Sequence, residues 1–168
     1  PGTSITVERL FGRFPARLKF LKSKSAETNR IAHLVSLYAL AYPSLRFTLR
    51  VDEREAFFSE ALGDSRASFA AVYGVPLAES MLALEREERN GGLAIRVAGL
   101  VSPPAVSRAN RTYITFFVNR RLIQSQALTY AVLEAYKGFL MTGRYPLAVV
   151  DLTIDPSQTD VNVHPTKA

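Results

Sequence analysis

The sequence predicts an α+β fold in which a single mixed β-sheet carries helices packed against it. Three observations lead there. Two long segments repeat apolar residues at helical spacing; several shorter ones alternate with period two; and one is apolar on both faces, the pattern of a covered strand. The two kinds are interleaved without the regular strand-helix alternation of an all-parallel sheet. A chain of 168 residues, 48% hydrophobic and 21% charged, has ordinary globular composition, so one domain over 1–168 with one good core is expected.

Each element has its own signal. Ser4 to Leu10 alternates Ile5 and Val7 with polar neighbours and reads as a half-buried strand entering a loop at Phe11 to Pro15. Ser25 with Glu27 in the first turn opens a long helix, whose stripe Ile31, Leu34, Val35, Tyr38 and Tyr42 is expected to face the core until Pro43 ends it. Phe47, Leu49 and Val51 alternate with polar residues, Asp52-Glu53 turns, and Ala56 to Ser59 returns as a hairpin. Ser65 to Tyr73 is a short helix closed by Gly74. Met81 to Glu88 and Leu93 to Val101 form a second hairpin around Asn90-Gly91-Gly92. Thr112 to Val118 is apolar or β-branched on both faces, so it is expected at the middle of the sheet. Ser125 caps a second long helix with the stripe Leu128, Val132, Ala135 and Phe139, which covers that sheet. Leu147 to Ile154 is the last strand, ended by Asp155-Pro156, and a polar tail follows.

Composition excludes several classes of function. Without cysteine there is no disulfide framework and no thiolate zinc site, which favours a cytoplasmic address. The apolar run around Ile114 to Val118 is too short to span a bilayer, so no membrane association is expected. No phosphate-cradling Gly-x-x-x-x-Gly-Lys-Ser/Thr, Gly-x-Gly-x-x-Gly, serine-hydrolase or zincin pattern occurs, which argues against catalysis by the chain alone and gives no metal site. The start at Pro1-Gly2-Thr3, without Met, is read as a fragment boundary with a domain missing upstream.

Charge is uneven. The net charge is +6, and residues 1–30 hold Arg9, Arg13, Arg17, Lys19, Lys22, Lys24 and Arg30 against Glu8 and Glu27. Residues 52–88 are acidic, whereas Arg89 to Leu133 contain no acid but carry Arg96, Arg108, Arg111, Arg120 and Arg121. Such blocks fit either solvated surface or an anionic partner such as nucleic acid. Of the two histidines, His33 reads as helix surface. His164 lies in the tail Asp160-Val-Asn-Val-His-Pro-Thr-Lys167, whose lysine is either a solvated terminal cation or an ammonium able to reach a phosphate held elsewhere.

Three stretches carry a family resemblance: Gly2-Thr3 to Val7 with Leu10-Phe11 and Pro15-Ala16-Arg17-Leu18-Lys19-Phe20-Leu21-Lys22; Phe117-Val118-Asn119-Arg120-Arg121; and Asp160 to Lys167. In this order, and across nearly the whole chain, they resemble the MutL family of DNA mismatch repair proteins. The resemblance implies the second, transducer domain of that family, similar in fold to the second domain of ribosomal protein S5. That domain follows an ATP-binding domain of the gyrase, Hsp90, histidine kinase and MutL class. It implies ATP with Mg2+ as the cofactor of the longer protein, and Lys167 as the contact to the ATP γ-phosphate, with Asp160, Asn162, His164 and Pro165 shaping and presenting its loop. It further implies ATP-driven homodimerisation into a clamp on DNA, with a MutS-type mismatch-recognition protein as partner. Arg121, Arg111, Arg120, Arg108, Arg17, Lys19 and Lys22 would supply phosphate contacts. Two positions depart from the family pattern: Gly12-Arg13-Phe14 replaces Phe-Asn-Thr or a close variant, and Arg120 stands where Val-Asn-Gly-Arg has glycine. The competing expectation is a free-standing nucleic-acid-binding module of the same fold without ATP coupling.

Overall fold

The computed structural model describes residues 2–90 and 93–158, the side chains of 90, 93 and 158 excepted. Its elements in chain order are α1 (Pro15–Leu18), α2 (Lys24–Ala41), β1 (Phe47–Val51), β2 (Arg54–Ser59), α3 (Ser65–Tyr73), α4 (Val75–Ser80), β3 (Leu82–Asn90), β4 (Leu93–Val101), β5 (Ser107–Arg108), β6 (Ile114–Val118), β7 (Arg121–Ile123), α5 (Gln126–Ala135), β8 (Tyr145–Pro146) and β9 (Ala148–Ile154). Five strands form one mixed sheet in the order β3-β4-β9-β6-β7; only β6 and β9 run parallel. The β1–β2 hairpin and the β5–β8 pair are separate two-stranded ribbons beside it.

Alternation along β6 accounts for the layers, because successive side chains of a strand leave opposite faces. Phe117 joins a core of Leu37, Leu40 and Ala41 from α2, Phe69 from α3, and Ala78, Met81, Leu100 and Leu147. Phe116 points the other way, to Ala148 and Val150, where Leu128 and Val132 of α5 close the second layer. The sheet is thus covered on both faces, by α2 to α4 on one and α5 on the other. Its central strand is β9 rather than the Thr112 to Val118 segment. That segment starts as a 3-10 turn at Arg111–Tyr113, and β6 lies between β9 and the short edge strand β7. At the end of β4, buried Ser102 donates its N–H to Leu147 O (2.9 Å), accepts Leu147 N–H on Oγ (3.1 Å), and accepts the Tyr136 hydroxyl on its carbonyl. This fastens the α5 end of the molecule to the sheet.

Local signals explain most boundaries. Ser23, not Ser25, caps α2, accepting from Ala26 N at 3.3 Å, with Glu27 in the first turn. Asp64 caps α3 through Arg66 N and Ala67 N, and Gly74, at φ +93, ends it. Arg66 Nη1 then donates to Met81 O at 2.9 Å and to Ala78 O, satisfying carbonyls at the end of α4. Ser125 caps α5 as the sequence suggests, but the helix ends at Ala135, and Phe139, expected on its covering stripe, lies beyond it and is exposed.

Two further expectations need correction. Ser4 to Leu10 forms no strand; its apolar side chains are open, Ile5 by 83% and Val7 by 72%. A half-buried strand needs a neighbouring strand to satisfy its backbone, and none of the described strands pairs with it. The stripe expected on α2 is also only partly right: Tyr42 packs against the core and Val35 is half-buried, but the other three residues face outward. Ile31, Leu34 and Tyr38 are about half exposed, while Leu37, Leu40 and Ala41 are buried. This helix is apolar nearly all round from Ile31 to Tyr42, so spacing alone selects no face.

Candidate coupling and nucleic-acid interface

The turn between β6 and β7 is built from Asn119 and Arg120, flanked by the pair Val118 and Arg121. Both turn residues have positive φ, +49 and +67, the geometry of a two-residue hairpin turn whose twist matches the strands. Asn tolerates that conformation, whereas arginine adopts it at a cost. The cost is offset by what the side chain meets. Arg120 Nη1 donates to Ala41 O at the end of α2 (2.9 Å), and Nε faces Asp151 Oδ2 of β9 at 3.2 Å. The departure from glycine therefore keeps the left-handed backbone and adds a clasp across α2, the turn and the central strand. Arg120 is half exposed, while Asp151 is largely covered and its Oδ1 has no hydrogen-bond partner.

Asn119 makes a second clasp. Its N–H donates to Leu152 O (2.8 Å), its Nδ2 to Ile154 O (2.9 Å), and its Oδ1 accepts Ile154 N–H (3.0 Å). Backbone and side chain together prolong the β6–β9 ladder beyond Val118↔Leu152, so β9 is held to its last residue. Just beyond it, Asp155 Oδ1 accepts the N–H of Ser157 at 2.9 Å and its hydroxyl at 2.7 Å, which hold the carboxyl below its usual range. The Phe-Val-Asn-Arg-Arg motif thus anchors the start of the segment that leads to the third motif. Asp160, Asn162, His164, Pro165 and Lys167 themselves lie outside the described residues.

The basic residues form three groups. Arg17 stacks near Phe11 and Phe14, 5.9 and 5.5 Å from their ring centroids, and with exposed Lys19 and Lys22 belongs to the open segment preceding α2. Arg121, exposed at the start of β7, borders an apolar groove of about 440 Å³ with Leu34, Tyr38 and Leu122. Arg108 on β5 and Arg111 in the 3-10 turn that follows both sit at the β5–β8 ribbon: the Arg108 guanidinium is 5.3 Å from the Tyr113 centroid, and that of Arg111 is 5.1 Å from Tyr145. Arg111 also borders an open groove of about 720 Å³ along α5, with Gln124, Gln126 and Tyr130 on its wall. Sequence reasoning missed Arg144 and the paired tyrosines. A Gly-Arg-Tyr-Pro run says turn and edge strand, and only the β5–β8 pairing puts Arg144 beside Arg108. His33 is exposed on α2. Among the described residues no cluster of three or more His, Cys, Asp or Glu side chains could hold a metal, and no helix is long and apolar enough to cross a membrane.

Comparison with known proteins gives the same direction. Residues 69–168, more than half of the chain, match the family "DNA mismatch repair protein, C-terminal domain". DNA mismatch repair protein MutL of Streptococcus mutans serotype c is 45% identical over 99% of this chain, and MutL of Streptococcus pyogenes serotype M5 is also 45% identical over 99%. The chain spans about a quarter of the length of these relatives, 25% and 24% respectively. Among solved structures, the N-terminal domain of a DNA repair protein has a TM-score of 0.75 at 20% identity, covering 92% of this chain and 51% of that one, a likeness of fold. The Aquifex aeolicus MutL ATPase domain complexed with ADP has a TM-score of 0.60 at 25% identity, covering 89% of this chain and 52% of its own. With a family match over most of its core and close relatives along nearly its whole length, the chain belongs to the MutL family of DNA mismatch repair proteins.

Proposed function

We propose that this region works within a longer MutL-type mismatch repair ATPase as the transducer domain that follows the ATP-binding domain. There it links nucleotide occupancy to contact with DNA. The observation that carries the reading is the Asn119 clasp on Ile154, which gives the tail that holds the third motif a rigid point of departure. Lys167 lies thirteen positions beyond Ile154, a reach of roughly 45 Å at most when extended, ample for a lysine to enter a site in another domain. In this reading Lys167 meets the γ-phosphate of ATP bound with Mg2+ upstream, offsetting the charge that develops during phosphoryl transfer. Asp160, Asn162, His164 and Pro165 shape the loop that presents it. The domain alone has no catalytic centre. Homodimerisation driven by ATP forms a clamp, and Arg121, Arg111 and Arg108 contact the DNA backbone without reading sequence, with Arg17, Lys19 and Lys22 on the open leading segment. Arg120, occupied by Asp151 and Ala41, serves first as a structural clasp. The mismatch-recognition partner is a MutS-type protein.

Hydrogen exchange in the full-length protein tests the reading. A non-hydrolysable ATP analogue with Mg2+ is expected to protect the amides of residues 155–168 relative to the nucleotide-free protein. Unchanged exchange there would leave the tail outside the nucleotide site and favour the free-standing nucleic-acid-binding module.

A further inference from the structure

Three arginines converge on the β5–β8 ribbon. Arg108 sits opposite Tyr145 in the ribbon's register, and Arg111 stacks on that same tyrosine at 5.1 Å. Arg144 Nε donates to Ser107 Oγ at 3.0 Å and its Nη2 to Ser107 O at 2.8 Å, while Arg108 covers Tyr113 at 5.3 Å. Among the described residues none of the three forms an ion pair, whereas Arg86, Arg89, Arg96 and Arg120 all do.

We infer that this ribbon is a preorganised binding site for the backbone phosphates of DNA, with Arg108, Arg111 and Arg144 as donors and Tyr113 and Tyr145 as the rings that hold two of them ready. The inference rests on the DNA-contacting reading above and gives it a defined surface, with Arg144 and the tyrosines as new participants. An arginine free in solution loses much side-chain entropy when it docks; one already laid on a ring or a carbonyl loses less. The rings and Ser107 leave guanidinium N–H groups available, and Arg111 and Arg144 are exposed. Between Arg89 and Val150 the sequence has a single acid, Glu134, and it pairs with Lys137 rather than with these arginines. The donors are spread over a turn, a strand and the loop before β8 on an open surface rather than around a closed cavity. That arrangement suits the successive phosphates of a polyanion rather than one enclosed ion. Beside Arg111 the groove walled by Gln124, Gln126 and Tyr130 continues the surface with hydrogen-bonding groups and no acid.

The test is binding of a fluorescently labelled duplex of arbitrary sequence to the full-length protein, read by anisotropy across a salt series. Replacing Arg108, Arg111 and Arg144 together by Gln is expected to lower the log-log salt slope by about 2.7, and exposed Arg144→Gln alone by about 0.9. Tyr145→Ala is expected to weaken binding several-fold with little change in slope, because it removes order but no charge, whereas Tyr145→Phe behaves as the native protein. Thermal melts of each variant verify folding. Native slope and affinity in every ribbon variant, with a lowered slope in Arg121→Gln, would overturn the ribbon and leave the broader DNA reading standing. A native protein that captures acidic polypeptide but no DNA would overturn both.

Discussion

Arg120 holds a backbone conformation that costs an L residue roughly 1–2 kcal/mol, and its guanidinium joins the end of α2 to Asp151. Two substitutions separate these effects. Arg120→Ala keeps the strained backbone and leaves the mostly covered Asp151 carboxylate unpaired, so a loss of about 1–3 kcal/mol in urea unfolding is expected. Arg120→Gly also loses the clasp but relaxes the turn, and should exceed the Ala variant by about 1 kcal/mol. Equal stability of the two would mean that the turn stores no strain. Sequence made the position conspicuous, since an arginine stood where the family has glycine, but could not choose between ordinary geometry and strain. That choice depends on partners 79 residues upstream and 31 residues downstream, which only the fold brings together. Asn119 was legible as part of a motif, yet its clasp on Ile154 was not, because side-chain pairing with a strand end leaves no periodic trace.

The elements follow from local chemistry wherever a cap or turn is explicit. Asp64, Ser125, Gly74 and the Asp52-Glu53 turn, with φ of +48 and +65, sit where their residue types suggest. Lys24 adds an exposed ion pair at 2.8 Å from α2 to that turn, worth a few tenths of a kcal/mol at most. In the proposed function, the β6–β9 junction is the element on which coupling depends. Asn119→Asp keeps a residue that accepts positive φ but loses the donor to Ile154 O, so it is expected to leave the fold intact while increasing hydrogen exchange at Ile154 and lowering ATP turnover of the full-length protein. Unaltered exchange and turnover would remove the clasp from the account. The strand expected at Ser4 to Leu10 shows what pattern cannot supply: alternation marks the wish of a segment to be half buried, not the presence of a partner. The α2 stripe was only partly right for a different reason: the helix is apolar nearly all round, so spacing marks no single face.

At the scale of the molecule, two layers meet on a sheet in which Gly99 leaves no room for a side chain. A Cβ there would lie 2.0 Å from Val149 O, on the backbone of the central strand, so Gly99→Ala is expected to separate β4 from β9 and abolish the cooperative unfolding transition. A native melt would mean the two strands can part locally at no cost. Phe69, only 1% exposed at the centre of the first layer, should cost about 3–5 kcal/mol on truncation to alanine. Stability should also fall as pH rises past 10. Burial lifts the phenols of Tyr73 and Tyr136 above 10.0, so the unfolded chain ionises first and gains over the folded one in that window; denaturant midpoints at pH 8 and above 10 check this. The α+β class and the mixed sheet were legible because interleaved periodicities force them. The central place of β9 and the meeting of three arginines on one ribbon were not, because both are products of strand order.

The most direct measurement is steady-state ATP hydrolysis by the full-length protein with Lys167 intact and with Lys167→Ala, folding verified by thermal melt. The account predicts a fall in turnover of about two orders of magnitude or more, as when a charge-stabilising donor is removed. Unchanged turnover would contradict it, returning the tail to solvent and leaving this region a binding module alone.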